Sequence, residues 1–301
     1  MKANYWILVL LPILIILIYF SGAFNLNKTN ENFGVKTPRI IWTYWENLNG
    51  VTEYPTHIKL CLETFYKHLS NYQIIVLNQN SIKQYIPDVR SDMDKLLIAQ
   101  KVDYYRIALL EKYGGIWVDA DTIIMRNFDE IFEKLDSGYD FVGFGCTGNI
   151  CFNGKYRPSN WLLASKKNGL LMKTTLNLLN NKLNSIKSES VHGVHGDHDY
   201  HDFGKLIIWQ AIDILRKQNN YDYFHYGSEY DGSRDSEGHW IETSRHFDTK
   251  DIKLIDESKL FLVFLTNSGI NEQQPWVKTT TRKKILNGPY WISKYFRKSL
   301  Q

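Results

Sequence analysis

Two aspartates, Asp119 and Asp121, are the residues of this 301-residue chain whose type and spacing best suit chemistry. They follow an apolar Ile-Trp-Val stretch, and only Ala120 separates them. In an extended strand, residues i and i+2 point to the same side, so both carboxylates can face one site. Paired carboxylate oxygens suit a hard divalent cation, which keeps other positions for water and phosphate oxygens. We therefore predict that the two aspartates bind a divalent cation and, through it, a diphosphate.

A helix before this strand is predicted to position a second pair of charged groups. Asp103 and Arg106 are three residues apart, so they lie on one helical stripe. An acid there can bind a ribose or sugar hydroxyl, and a guanidinium can bind a phosphate. Gly114 and Gly115 end the helix and allow the strand to begin within two residues. Taken singly, a D-x-D pair occurs by chance in most chains, and Asp103 with Arg106 is typical of an exposed ion pair. The occurrence of a helix, a Gly-Gly pair, an apolar strand and a D-x-D pair in this order is far less frequent by chance than either pair alone.

Two segments of the chain carry a resemblance to a known family. Residues 102–121, VDYYRIALLEKYGGIWVDAD, resemble the signature of glycosyltransferases with a DXD sugar-binding region. That group includes yeast-type initiating α-1,6-mannosyltransferases and capsular polysaccharide synthesis proteins, and it is more distantly similar to clostridial glucosylating toxins. Residues 38–47, PRIIWTYWEN, are similar to the I-P-x-x-I-W-x-x-W start that precedes the nucleotide pocket in this group. The two motifs lie within residues 38–145, and the match weakens beyond them.

The resemblance implies a GT-A fold, a nucleotide-diphosphate sugar donor, an Mn²⁺ or Mg²⁺ cofactor and retention of the anomeric configuration. It implies that Asp121 binds the metal directly, while Asp119 reaches the metal through water or contacts the ribose. A polar residue near the C-terminus completes the metal shell in such enzymes, and Asn267 and Ser268 are the candidates. Three residues at the end of the first strand are the expected neighbours of the nucleobase: Trp42, Thr43 and Tyr44.

The hydrophobic pattern predicts one α/β domain over residues 38–301, with a mostly parallel central sheet. Apolar strands and amphipathic helices alternate from the start of this region, as in parallel α/β sheets. The first of these helices, residues 55–69, has Ile58, Leu62, Phe65 and Leu69 on one face, which we expect to be buried. The predicted strands are 40–42, 73–77, 116–118, 122–125, 139–144, 161–164 and 260–265, and the main helices are 55–69, 101–113, 128–135, 169–186 and 203–217. A net charge of +4, with lysine and arginine scattered, argues against a nucleic-acid partner.

The N-terminus has the composition of a membrane segment. Residues 5–20 carry no charge, and extension to residue 24 gives an apolar stretch of about 30 Å as a helix, the thickness of a bilayer core. We predict an uncleaved single-pass signal anchor over residues 1–24 and a short stem over residues 25–37. A cleaved signal peptide, with its site near Ser21-Gly22-Ala23, is the alternative. The catalytic domain would then face an ER or Golgi lumen in a eukaryotic or viral setting, or the cell envelope otherwise.

A histidine-rich segment, residues 192–201, contains four of the nine histidines at a spacing of three. Histidine with aspartate can bind a transition metal, but the segment has two glycines, no cysteine and no paired spacing typical of structural zinc. We favour a flexible loop over the active site, in which His195, Asp197 or His198 supplies an outer metal ligand or an acceptor contact.

Three cysteines leave at least one unpaired. Cys61 falls on a predicted helix and is expected to be a buried apolar group. Cys146 and Cys151 could pair in an oxidising compartment, although the count does not require it.

These features predict a membrane-anchored glycosyltransferase that moves a hexose-type sugar from a nucleotide diphosphate to a glycan or lipid-linked acceptor. Residues 221–247 combine aromatic side chains with glycines and polar groups, which suits recognition of the acceptor. Two alternatives stay open at this stage. A metal-dependent hydrolase would use the same D-x-D pair without an acceptor, and a catalytically silent carbohydrate-binding membrane protein would bind sugar without metal.

Overall fold

Strands and helices alternate along the chain in the computed structural model, which describes residues 36–47, 51–145, 156–185, 202–267, 270 and 273–301. The strands are β1 (Ile40–Tyr44), β2 (Gln73–Leu77), β3 (Gly115–Val118), β4 (Thr122–Ile124), β5 (Phe141–Phe144), β6 (Leu162–Ser165), β7 (Phe224–Tyr226) and β8 (Leu262–Phe264). The helices are α1 (Thr56–His68), α2 (Ile82–Tyr85), α3 (Ile98–Tyr113), α4 (Asp129–Asp136), α5 (Leu170–Ser185), α6 (Lys205–Asn219), α7 (Thr243–His246), α8 (Arg282–Asn287) and α9 (Trp291–Leu300). Two 3₁₀ turns, Met93–Lys95 and Pro275–Thr279, lie between them.

The main sheet has six strands in the order β2-β1-β3-β6-β5-β7. β1 is parallel to both β2 and β3, and β5 is parallel to β7. β6 is antiparallel to β3 and β5, so the residues that lead into β6 lie beside the residues that leave β3. The predicted α/β class with a mostly parallel sheet is confirmed, with β6 as the reversed strand. A separate two-stranded ladder joins β4 to β8.

Central strand β3 is buried along its whole length, as expected for a strand covered on both faces. Helices α3, α5 and α6 contribute to the core that contains Trp117, and α4 contributes to the core that contains Ile116 and Val118. Helix α1 buries one apolar stripe, as its 3.6-residue pattern predicts; its predicted core positions Ile58, Leu62, Phe65 and Leu69 are all buried.

The Gly114-Gly115 pair makes the sharp passage from α3 to β3 possible. Both residues have positive φ, +72° and +97°, a backbone region that other residues rarely adopt. A Cβ on Gly114 would lie 2.5 Å from the Lys167 nitrogen, and one on Gly115 would lie 2.6 Å from the Ile40 oxygen. The predicted helix end is therefore confirmed, and both glycines are required by backbone angle and by space.

Several predicted features fall outside the described residues: the signal anchor, nearly all of the stem, the histidine-rich segment, Cys146, Cys151 and Ser268. Within the described residues, no helix combines the length and apolar character needed to cross a membrane. Cys61 is described; it is fully buried, and burial raises the pKa of its thiol, in agreement with a packing role.

Candidate active site

The backbone of the D-x-D pair is tied to two other segments of the chain. Asp119 directly follows β3, and its N–H donates to the Trp161 carbonyl over 2.9 Å. The Asp121 carbonyl directly precedes β4 and accepts the Leu265 N–H over 3.0 Å. The entry to β6 and the exit of β8 therefore meet at the two aspartates, at the carboxyl edge of β3 where open α/β sheets bind ligands.

The two carboxylates have different partners. Oδ1 of Asp119 accepts a hydrogen bond from Trp117 Nε1 over 2.7 Å and lies 3.1 Å from Arg106 Nη1. Oδ2 of Asp121 accepts the Asn267 N–H over 2.8 Å. The Asp119 side chain is 23% exposed, and Asp121 is 9% exposed. Both acids are therefore held in fixed directions, and a ligand can reach Asp119 from solvent.

Arg106 links Asp119 to a second buried acid, Asp103. Its Nε lies 3.3 Å from Asp103 Oδ1, and its Nη1 also donates to the Asn160 carbonyl. Asn160 Nδ2 donates to the same Asp103 oxygen over 2.8 Å. Gly204 lies against this cluster, since a Cβ there would be 2.4 Å from Asp103 Oδ2 and from Asn160 Nδ2. The predicted stripe of Asp103 and Arg106 therefore faces inward, as a buried ion pair that sequence alone did not distinguish from an exposed one.

This site carries more negative than positive charge. Burial raises the pKa of Asp103 to about 6, against the opposing effect of the Arg106 guanidinium. Burial, together with the nearby Asp119 charge, raises the pKa of Asp121 to about 7. Burial also raises the pKa of Asp119, which Arg106 opposes. One guanidinium thus faces three carboxylates, and a bound cation would favour their ionised forms.

The oxygen donors present fit a hard divalent cation. Asp119, Asp121 and the Asn267 side-chain amide offer carboxylate and carbonyl oxygens, the ligand types that Mg²⁺ and Mn²⁺ prefer. Among the residues described here, no group of three or more histidine, cysteine or carboxylate side chains is placed to hold a metal ion. Mg²⁺ in proteins usually keeps several positions for water and for substrate phosphates.

His57 is a residue of this site that sequence analysis missed. Its Nε2 lies 3.1 Å from Asn267 Oδ1, while the Asn267 N–H bonds Asp121. His57 is fully buried at the start of α1, and burial lowers its pKa to about 4, so the imidazole is neutral. Since a carboxamide oxygen has two lone pairs, Asn267 can accept from His57 and still offer one lone pair to a cation. The histidine has no motif around it that would have indicated this position.

The three predicted neighbours of the nucleobase are buried. Trp42 is 1% exposed, donates from Nε1 to the Gly114 carbonyl over 2.9 Å and packs against Tyr85 and Tyr113. Thr43 is buried as well, and the Tyr44 hydroxyl donates to Glu46. The structure thus places Trp42 in the core, with its indole N–H directed to the amino end of β3.

Trp45, the next aromatic residue after β1, occupies a different environment. It is half-buried and packs against the small apolar cluster of Ile58, Leu62 and Ala120, the last of which lies between the two aspartates. Its ring meets His57 edge-on with centroids 6.5 Å apart. Trp45, rather than Trp42, is therefore the aromatic residue of this segment that borders the site.

A second aromatic group, which we name the aromatic platform, lies on the opposite flank and consists of Trp161, Phe264 and Trp240. Trp161 stacks on Phe264 with centroids 4.5 Å apart, and Trp240 contacts both rings at 5.6 and 6.3 Å. All three residues are only half-buried. Trp240 belongs to the region 221–247 predicted to recognise the acceptor, while Trp161 and Phe264 come from strand ends far apart in sequence.

Comparison with known proteins places the chain in a family. The model of the capsular polysaccharide synthesis protein family matches residues 18–189, more than half of the chain. The O-glycosyltransferase braB of Annulohypoxylon truncatum is 25% identical in an alignment of 128 residues, and the match covers 36% of this chain and 30% of that protein. The chain thus matches less than a third of the length of this curated relative.

Three solved structures show weaker similarity. PaToxG glycosyltransferase has a TM-score of 0.36 at 17% identity, with 61% of this chain and 70% of that chain covered. The apo-form glycosyltransferase GlyE of Streptococcus pneumoniae TIGR4 has a TM-score of 0.36 at 13% identity, with 64% and 46% covered. An active-site mutant of LgtC has a TM-score of 0.39 at 10% identity, with 83% and 99% covered.

The braB, PaToxG and GlyE proteins are all named glycosyltransferases. All three TM-scores are below 0.5, so the family assignment rests on the sequence match, which confirms the resemblance found in residues 38–145. This chain belongs to the capsular polysaccharide synthesis protein family.

Proposed function

We propose that this protein is a divalent-metal-dependent glycosyltransferase that moves a hexose-type sugar from a nucleotide diphosphate to a hydroxyl of a glycan or lipid-linked acceptor. The observation that carries the proposal is the pair Asp119 and Asp121 at the carboxyl edge of β3, with Arg106 bound to Asp119. Residues 5–24 would anchor the enzyme in a membrane.

The donor is proposed to lie across the edge of the sheet. Asp119 and Asp121 would hold the ion that binds the diphosphate, and Asn267, oriented by His57, would offer a third oxygen. Trp45, just after β1, is the proposed neighbour of the nucleobase, because it is half-buried, packs on the cluster that contains Ala120 and contacts the His57 ring. The sugar hydroxyls would then meet the polar cluster of Asp103 and Asn160.

The chemistry needs stabilisation of the charge that develops on the departing diphosphate. A bound Mn²⁺ or Mg²⁺ supplies this as a Lewis acid. Arg106 would keep the acids of the site in position for the donor. Its buried guanidinium contacts both Asp103 and Asp119 and offsets part of their negative charge. In a retaining transfer the sugar C1–O bond to the diphosphate breaks, C1 bonds the acceptor oxygen on the same face, and the acceptor proton passes to the departing diphosphate oxygen. This balance requires no separate general base.

A donor panel tests the proposal. The full-length protein in detergent is mixed with individual UDP- and GDP-sugars, and release of nucleoside diphosphate is measured with Mn²⁺, with chelator, and after Mn²⁺ is restored. We expect turnover of one donor class that chelator abolishes and Mn²⁺ recovers. Turnover unaffected by chelator, or no turnover of any donor, would contradict the proposal. A hydrolase would release equal amounts of sugar and nucleotide whether or not acceptors are present.

A further inference from the structure

The aromatic platform is attached directly to both aspartates of the D-x-D pair. The Trp161 carbonyl accepts the Asp119 N–H, and Phe264 precedes Leu265, whose N–H donates to the Asp121 carbonyl. Phe264 also pairs with Thr122, the residue after Asp121. Trp161 is therefore hydrogen-bonded through its backbone to one aspartate, and Phe264 is next to the residue whose backbone is hydrogen-bonded to the other.

The position of the platform follows from the order of the strands. β3 lies between β1 and β6, and Trp45 follows β1 while Trp161 precedes the antiparallel β6. Trp45 and the platform thus flank Asp119 from opposite sides. A nucleotide sugar is linear, with the diphosphate between the base and the sugar. If the base lies on the β1 flank and the diphosphate at the aspartates, the sugar and what receives it extend toward the β6 flank.

The chemistry of the platform suits a sugar ring. A pyranose has an apolar face of C–H groups, which packs on an indole or phenyl ring, and hydroxyls at its rim. Trp161 Nε1 is buried and has no hydrogen-bond partner among the described residues, although a buried indole N–H normally finds one. The Arg234 guanidinium lies 6.0 Å from the Trp240 ring centre and adds a polar group at the border. Apolar surface with a few polar groups is typical of ligand sites.

We propose that the aromatic platform is the acceptor subsite and binds a pyranose ring of the acceptor glycan, with Trp240 as its outer wall. This inference rests on the proposed function, because it assumes that the aspartates hold the donor diphosphate. The sugar being transferred is assigned to the polar groups beside Arg106, Asp103 and Asn160, so the platform receives the next ring. It positions the acceptor hydroxyl near C1 of the donor sugar, which raises the rate by proximity and orientation.

Two variants of Trp240 and one control test the subsite in the full-length protein. Trp240→Ala removes the ring, Trp240→Phe keeps a stacking surface, and Trp276→Ala removes another half-buried indole that packs on Phe247 and Tyr290 outside the site. Initial rates with the active donor are measured against a panel of p-nitrophenyl pyranosides. Sugar transfer and donor hydrolysis are quantified in the same reaction, and thermal melts verify folding.

We expect Trp240→Ala to raise the KM for the pyranoside about tenfold and to lower the ratio of transfer to hydrolysis about tenfold. Trp240→Phe should recover most of that loss, and Trp276→Ala should behave as wild type. An unchanged pyranoside KM in Trp240→Ala would overturn the proposal. So would a rise in donor KM alone, since the platform would then hold the donor sugar. Equal losses in Trp276→Ala and Trp240→Ala would also overturn it.

Saturation-transfer NMR of the same pyranosides separates this inference from the proposed function. Binding that Trp240→Ala weakens and Trp240→Phe retains would support the subsite even if no donor were turned over, whereas the proposed function would then fail. Donor turnover without Trp240-dependent pyranoside binding would have the opposite meaning: the enzyme class stands and the subsite is wrong.

Discussion

Asp121 and Asp231 are two buried carboxylates with the same raised pKa, about 7, in different surroundings. Asp121 lies at the edge of the candidate site, where the negative charge of Asp119 adds to the effect of burial. Asp231 is fully buried, and its Oδ1 accepts from the N–H and hydroxyl of Ser233. Its Oδ2 has no partner among the described residues.

Burial is the main cause of the raised pKa at both aspartates, but their neighbours differ. At Asp121 the charge of Asp119 raises the pKa as well, and a bound cation would offset the charge of both acids. At Asp231 the hydrogen bonds from Ser233 oppose the effect of burial. A raised pKa therefore indicates a metal or catalytic site only together with neighbouring groups that a ligand could join. The following predictions test this distinction.

Asp121→Asn should give the largest effect, a loss of donor turnover of about a thousandfold or more, because the amide cannot replace a charged metal ligand. The protein should remain folded, since the buried acid is already costly without its ion. Nucleotide release with Mn²⁺ and a thermal melt measure the two properties. Asp88→Asn, at an exposed acid, is the control and should keep wild-type activity. Full activity of Asp121→Asn in excess chelator would show that the aspartate has no metal role.

Arg106→Lys should lower kcat/KM about a hundredfold and also lower the melting temperature. A lysine keeps the charge, but it cannot bridge Asp103, Asp119 and the Asn160 carbonyl as the guanidinium does. Breaking a buried ion pair costs about 3–5 kcal/mol when the charge is removed, so the loss with lysine should be smaller. Arg282→Lys, at an exposed pair with Glu63, is the control. Equal behaviour of the two variants would contradict a special role for Arg106.

His57→Gln should raise the Mn²⁺ concentration needed for half-maximal activity about tenfold, with a smaller effect on the maximal rate. Residues that orient metal ligands typically contribute 10–100-fold to metal affinity, and His57 contacts the Asn267 amide. Metal titration of activity and calorimetric Mn²⁺ binding both measure the shift. His68→Gln is the matched control, since His68 is on the same helix and contacts Ser299 instead. An unchanged Mn²⁺ requirement would remove His57 from the site.

Asp231→Asn tests the raised pKa of Asp231 through the pH dependence of the free energy of unfolding. The acid has a folded-state pKa of about 7 against an ordinary 3.8, so its favourable contribution is complete below pH 3.8 and is lost as the pH rises through about 7. Asparagine is neutral at every pH. Relative to wild type, the variant's free energy of unfolding should therefore improve by about 2 kcal/mol between pH 5 and pH 8.

Urea denaturation at both pH values, in the absence of metal, measures the change, and Asp88→Asn should give a constant difference. A difference for Asp231→Asn that stays constant, or that becomes less favourable at high pH, would show that Asp231 is ionised in the folded protein.

Much of the fold was predictable because the hydrophobic pattern of each segment agrees with the strand or helix that the structure forms there. β2 has the predicted bounds, α3 ends at the predicted Gly-Gly pair, and α1 buries its predicted stripe. The site was predicted in part: Asp119, Asp121 and Arg106 come together because one helix, one turn and one strand carry them all. His57, Asn160 and Gly204 were missed, since each reaches the site from a distant segment without a motif of its own.

The aromatic residues at the end of β1 show the same difference between what a local pattern indicates and what packing decides. The resemblance indicated Trp42, Thr43 and Tyr44, at the end of β1, as the neighbours of the nucleobase. Pairing with β2 and β3 buries Trp42 and directs its indole N–H to Gly114, whereas Trp45 lies beyond the last paired residue of β1 and is half-buried.

The sequence by itself determined the strand–helix alternation, the helix end at Gly114 and the pairing of Asp119 with Asp121 across Ala120. These features depend only on residues that lie a few positions apart in the chain. Only the tertiary structure decided that Arg106 is buried between Asp103 and Asp119, that His57 contacts Asn267, and that three distant aromatic residues form one platform. Such contacts depend on β6 running antiparallel beside β3 and on β8 joining β4. Strand order arises from the packing of the whole chain, and no short stretch of residues specifies it.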